Sequence, residues 1–119
     1  MTEPDALRVL LSTAAPEDAE RIVATLVEER LVACGNIVPG VLSIYRWKAE
    51  VCREAESVLI METTAARVSA AMERLAALHP YDTPKIVALS PDRVLDTYLQ
   101  WACEATTPDD GASSGPTDR

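Results

Sequence analysis

Residues Leu31–Val51 read LVACGNIVPGVLSIYRWKAEV, and this stretch decides the fold. Its opening residues close a helix, Cys34-Gly35-Asn36 follow, and Ile37 to Trp47 is a long run of β-formers. Ile37, Val38, Val41, Leu42, Ile44, Tyr45 and Trp47 are branched, aliphatic or aromatic types that pack well on a pleated surface. Pro39-Gly40 interrupts them. Proline removes a ladder N–H and glycine permits a bulge, so the strand is expected to bend there and to lie at a sheet edge. A long apolar edge strand invites pairing with another chain, which marks this segment as a subunit contact.

Working backward, Leu7–Thr13 (LRVLLST) is a first strand, and Pro16 suits the first position of a helix. Glu17, Asp18 and Glu20 match the positive end of that helix's dipole. Ala19, Ile22, Val23 and Leu26 recur at helical steps, and the helix is expected to end near Val32. Working forward, Lys48-Ala49-Glu50 turns the chain into a partner strand over Val51–Thr63. Thr64 is the expected N-cap of a second helix striped by Val68, Ala71, Met72, Leu75 and Leu78, which His79-Pro80 stops. Lys85–Leu89 is a last strand, and Ser90-Pro91-Asp92 signals the start of a third helix. Its apolar stripe leaves Trp101 to one side, facing a neighbour.

The order is βαββαβ plus a C-terminal helix, an α+β, ferredoxin-like fold. Residues 1–6 form a short extension, 7–105 the domain, and 106–119 a Pro-, Gly- and Ser-rich tail expected to be disordered.

Composition narrows the function. At 119 residues and a net charge of −8, the chain is one domain with little attraction for nucleic acid or anionic lipid. No apolar run is long enough to span a bilayer, and the acidic N-terminus lacks the basic region of a secretory signal. Three dispersed cysteines, Cys34, Cys52 and Cys103, argue against a disulfide framework and for a reducing cytoplasm. RNA-recognition modules share this strand order but stack bases on aromatics of strands one and three, where this chain has none.

Two chemistries remain. A small enzyme would use Cys34 with His79, the sole histidine, and Tyr81, in a cleft between subunits. A metal site would also need His79, with Asp82 nearby, although one imidazole does not make a tetrahedral centre. The plainer readings are that Cys34 and Cys103 are small buried apolar residues and His79 a packed helix terminator. The acids Glu50, Glu54 and Glu56 read as a solvated face. Tyr45, Trp47, Tyr81, Tyr98 and Trp101 would form one aromatic surface if their elements converge, which favours an interface.

The motifs Thr13-x-Ala15-Pro16, Leu31–Pro39, Ser43–Trp47, Leu78–Pro84 and Tyr98–Trp101, in this order, resemble the CutA family of divalent-cation tolerance proteins. The resemblance covers Leu7 to about Ala105. It implies a ferredoxin-like protomer in a stable homotrimer similar to P-II signalling proteins. It also implies a role in tolerance of copper and other divalent metals, no catalytic activity and no required cofactor. A small molecule or metal would then sit in the intersubunit cleft. Members proposed to bind copper carry a Cys in the loop after strand one and a His-His pair before the Pro-Tyr. Ser12 and Leu78-His79 stand there in this chain, so any copper(II) binding is expected to be weak and to rest on His79. Glu62 and Lys85 reverse the charges usual in the family and are expected to pair, within a chain or across the interface.

Overall fold

The computed structural model describes residues 3–108. Strand β1 (Leu7–Ala14) leads to helix α1 (Pro16–Glu28), then β2 (Cys34–Trp47), β3 (Glu50–Thr64), helix α2 (Val68–Leu78), β4 (Ile86–Leu89) and helix α3 (Asp96–Ala105). The four strands form one antiparallel sheet in the order β2-β3-β1-β4. This is the ferredoxin-like arrangement, and β2 is an edge strand as its proline required.

Alternation along the strands separates two faces. Leu10, Ser12 and Ala14 of β1 and Leu59, Met61 and Thr63 of β3 are buried beneath α1 and α2. Ile22, Val23, Leu26, Ala71 and Leu75 of those helices complete the core. Gly35 of β2 sits where α1 crosses the sheet. A Cβ there would overlap Val23 Cγ1 and lie 3.2 Å from Met61 Cγ. Gly35→Ala should therefore destabilise the fold by about 1–3 kcal/mol, the range for overfilling a packed core. Urea unfolding measures it, and a loss below ~0.5 kcal/mol would show that α1 can withdraw at no cost.

Helix α1 stops at Glu28, not near Val32. Arg30 takes φ 60° and Arg30 N–H donates to Val27 O, while Leu31 N–H donates to Leu26 O. These paired bonds are a Schellman termination, with arginine where glycine is usual, and Leu26 and Leu31 both enter the core. Helix α2 begins at Val68, because Thr64 completes β3 and a turn closed by Arg67 N–H to Thr64 O intervenes. Helix α3 begins at Asp96 rather than at Ser90-Pro91-Asp92. Residues 90–95 are spent carrying the chain from β4 to the far side of the sheet, so tertiary demand overrides the local start signal. There α3 packs on Leu7 and Ala33 with Val94, Tyr98, Leu99 and Trp101. Trp101 also packs within its own protomer, 5.5 Å from the Tyr98 ring.

Both described ends of the chain are held by hydrogen bonds. Ala65 and Ala66 N–H donate to Ala6 O and Pro4 O, so Glu3–Ala6 is tied to the end of β3. Thr106 is 2% exposed and its hydroxyl donates to Ala102 O at 2.8 Å. The rest of the expected disordered tail, residues 109–119, lies outside the described residues.

The β2–β3 hairpin outgrows the sheet. β1 ends opposite Ser57, so β2 from Val41 and β3 before Ser57 pair only with each other. The register shifts between Val38 and Val41, where Gly40 takes φ 75°, the bulge that Pro39-Gly40 predicted. Lys48 and Ala49 close the tip with φ 50° and 69°, the left-handed pair of a type I′ turn. The result is a two-stranded arm.

Candidate functional site

The arm and the loop after α2 enclose a groove of about 890 Å³ on the face of the sheet opposite α1 and α2. Thr13, Tyr45, Trp47, Glu54, Glu56, Tyr81 and Lys85 are among its walls. Register explains the gathering. Thr13 opposes Val58, and Glu56 and Glu54 follow Val58 on the same face of β3 at two-residue steps. Ser43 opposes Glu54 and Tyr45 opposes Cys52, which sets the Tyr45 ring diagonally against Glu54.

His79 organises the loop. It is 6% exposed, its Nε2 donates to Thr13 O at 2.8 Å, and its Nδ1 accepts from Tyr81 N–H at 3.2 Å. Those partners assign the Nε2–H tautomer. The two rings lie 4.5 Å apart, and the Tyr81 phenol donates to Glu56 Oε2 at 2.7 Å. A chain of contacts thus runs from β1 through His79 and Tyr81 to Glu56 of β3. On the arm, the Tyr45 phenol donates to Glu54 Oε1 at 2.6 Å.

Both phenols are held protonated. The bond to Glu54, with smaller contributions from burial and nearby negative charge, pushes Tyr45 up to about 12. Burial, then the bond to Glu56, pushes Tyr81 higher still. Following the ring resonances through an alkaline titration should show Tyr45 ionising near pH 12, and Glu54→Gln should return it toward the usual ~10. A wild-type Tyr45 that ionised near ~10 would mean that its bond to Glu54 is absent.

The structure redistributes the residues singled out in the sequence. Tyr45, Trp47, Tyr81 and Lys85 share the groove. Tyr98 and Trp101 do not join them. They lie on α3 toward the other end of the same face, where the Tyr98 hydroxyl meets Glu62 Oε1 at 3.1 Å. Within one protomer the five aromatics therefore form two clusters. Glu62 stands opposite Val9, whereas Lys85 precedes Ile86, the partner of Ser12. Four residues of strand, about 13 Å, separate their rows, and no ion pair joins them within the chain. Cys34 opposes Glu62 as well, so the same separation parts it from His79 and Tyr81. One protomer does not assemble the Cys34–His79–Tyr81 set that an enzyme would use.

The metal expectation meets a similar obstacle. Both ring nitrogens of His79 are engaged, and Ser12 is a fully buried residue inside β1, not in a loop. Among the described residues no three His, Cys, Asp or Glu side chains group as a metal site. What sequence reasoning missed is Glu54 and Glu56, read as solvated. Their two-residue spacing, opposite Val41 and Ser43, was the available signal, but it becomes a site only once the hairpin register is known.

The model of the CutA1 divalent ion tolerance family matches residues 7–105. The chain belongs to that family. It is 47% identical over 98 residues to the divalent-cation tolerance protein CutA of Thermus thermophilus, covering 82% of this chain and 95% of that one. The solved structure of the Thermus protein superposes with a TM-score of 0.81, covering 85% of this chain and 99% of that one at 46% identity. The structure described as the PII-like protein CutA from Nostoc in apo form gives the same TM-score at 38% identity, covering 86% and 99%. The chain spans 50% of the length of the chloroplastic Arabidopsis CutA, to which it is 36% identical over 90 residues, 76% of this chain. The CutA family is thus named for divalent-ion tolerance and not for a reaction.

Proposed function

We propose that this CutA-family chain acts as a homotrimeric, non-enzymatic tolerance or P-II-like regulatory protein whose groove becomes a ligand cleft between subunits. The observation that carries the reading is the arm. Leu42, Ile44 and Val51 are 63%, 57% and 52% exposed, and Tyr45 and Trp47 are 38% and 42% exposed. A two-stranded ribbon is marginal alone in water, and one with apolar side chains on both faces is stable only when covered. A second copy is the cover that the apolar edge strand calls for. Amide exchange tests it: at micromolar concentration the amides of 42–47 should be protected as well as those of β1 and β3. Exchange of the arm within seconds would sink the assembled reading.

Divalent metal would be a weak ligand of this chain. Copper(II) at His79 would have to displace the bond to Thr13 O or the one from Tyr81 N–H, so binding is weak and exchangeable. In a competition titration a chromogenic chelator should strip the metal from the native protein. His79→Ala should lower the residual affinity and also cost about 1–3 kcal/mol of stability, the effect of orphaning buried partners. Tight stoichiometric copper that survives His79→Ala would place the ligands elsewhere, with Cys34 first to be tested. The cytoplasm is the proposed compartment, on the three free cysteines and the acidic charge. Among the described residues no helix is long and apolar enough to cross a membrane.

A further inference from the structure

Glu56 is 5% exposed, yet no cation pairs with it among the described residues. Its Oε2 accepts from the Tyr81 phenol, and no described group donates to Oε1. Nor is Oε1 sealed away, since the one fully buried side-chain atom without a partner among the described residues is Arg67 Nε. Glu56 also lines the groove. A carboxylate taken this far out of water is expensive unless a counter-charge reaches it, and one neutral phenol does not supply that charge. Glu54 stands two residues along β3, about 7 Å away on the same face, and its only side-chain donor among the described residues is the Tyr45 phenol.

The two phenol hydroxyls are committed to the carboxylates, which leaves the Tyr45 and Tyr81 rings and the Trp47 indole as groove wall. Lys48 Nζ already rests 6.0 Å from the Trp47 ring centroid, so that indole lies within reach of a cation. The positive groups of the groove do not neutralise Glu56. Arg46 donates to Ala49 O at 3.5 Å, and Lys85 is exposed on the β4 side, about 10 Å across two strand spacings.

We infer that the groove takes a small organic cation, its ammonium group seated against Glu56 and Glu54 and flanked by Tyr45, Trp47 and Tyr81. The inference rests on the cleft proposed above and names the ligand class for it. Carboxylates whose companions are protonated phenols and aromatic faces give a bare divalent ion few of the oxygens it needs. An ammonium group is served by one or two carboxylates and ring faces. The groove's size also lies in the range of small-molecule sites.

Choline and its neutral isostere 3,3-dimethyl-1-butanol are the probes, titrated into the full chain by calorimetry and indole fluorescence. Choline should bind about ten-fold or more tightly than the isostere, as a desolvated cation–π and carboxylate contact predicts. Glu56→Gln should remove that advantage, Glu54→Gln should reduce it, and Tyr81→Phe, which keeps the carboxylate, should retain it. Equal binding of the isostere, choline affinity that survives Glu56→Gln, or displacement of choline by equimolar magnesium would each overturn the inference. So would absence of choline binding by a protein whose light-scattering mass is that of an assembled form. Should the mass instead be that of one chain, the assembly reading fails separately, and choline still reports on a groove whose named walls belong to one protomer.

Discussion

Replacing Leu42 and Ile44 together by aspartate should convert the assembled protein to single chains. The two side chains are 63% and 57% exposed on the arm, so the charges strain nothing inside a protomer. In an assembly that covers the arm, each substitution forfeits about 1.5–3 kcal/mol of apolar burial. Each also introduces a carboxylate that must be desolvated without a partner, which costs more again. Every protomer bears both changes, so the penalties repeat at each interface. Sedimentation velocity on the variant should show the mass of one chain with the far-ultraviolet dichroism of the native sheet. A variant that keeps the wild-type sedimentation would show that Leu42 and Ile44 face solvent in the assembly.

Leu59→Ala should produce the largest loss of protomer stability, about 3–5 kcal/mol. Leu59 is 0% exposed in β3, a central strand, on the face covered by α1 and α2. Neighbours fixed in two helices and a sheet have little freedom to close on the cavity, which places the cost in the upper part of the range for Leu→Ala. Against a total of about 5–15 kcal/mol for a domain, that is a large share. Leu95→Ala is the control, since Leu95 is 73% exposed and its loss should shift stability by less than ~0.5 kcal/mol. Both are read by urea unfolding at one fixed protein concentration, because assembly raises apparent stability by mass action. Similar losses at Leu59 and Leu95 would contradict the placement of the core.

The fold was legible because its signals are local and agree with one another. Pro39-Gly40 marked the bulge and the edge, Pro16 with its acids marked the start of α1, and His79-Pro80 ended α2. Legibility failed where a longer-range contact decided the outcome. The Ser90-Pro91-Asp92 signal is a sound local helix start, but the chain must first reach the far face of the sheet before α3 can pack on Leu7. Arg30 in a left-handed conformation has no glycine to announce it, so α1 seemed to run on to Val32.

The site was legible in its members more than in its geometry. Tyr45, Trp47, Tyr81 and Lys85, named from the sequence, line one groove between the arm and the loop after α2. Glu62, singled out by its reversed charge, lies about four residues further along the strands, and Trp101 lies on α3 beside Tyr98. Glu56 went unrecognised because acids at alternate positions usually mark a solvated strand face. Only the fold of the His79–Tyr81 loop over β3 turns that position inward.

If other copies of the same chain cover the apolar arm, the protein in solution is an assembly. Light scattering coupled to size-exclusion chromatography at micromolar concentration measures this most directly. A single species of about three times the 12.9 kDa chain mass is expected. A monodisperse species at the mass of one chain would contradict it.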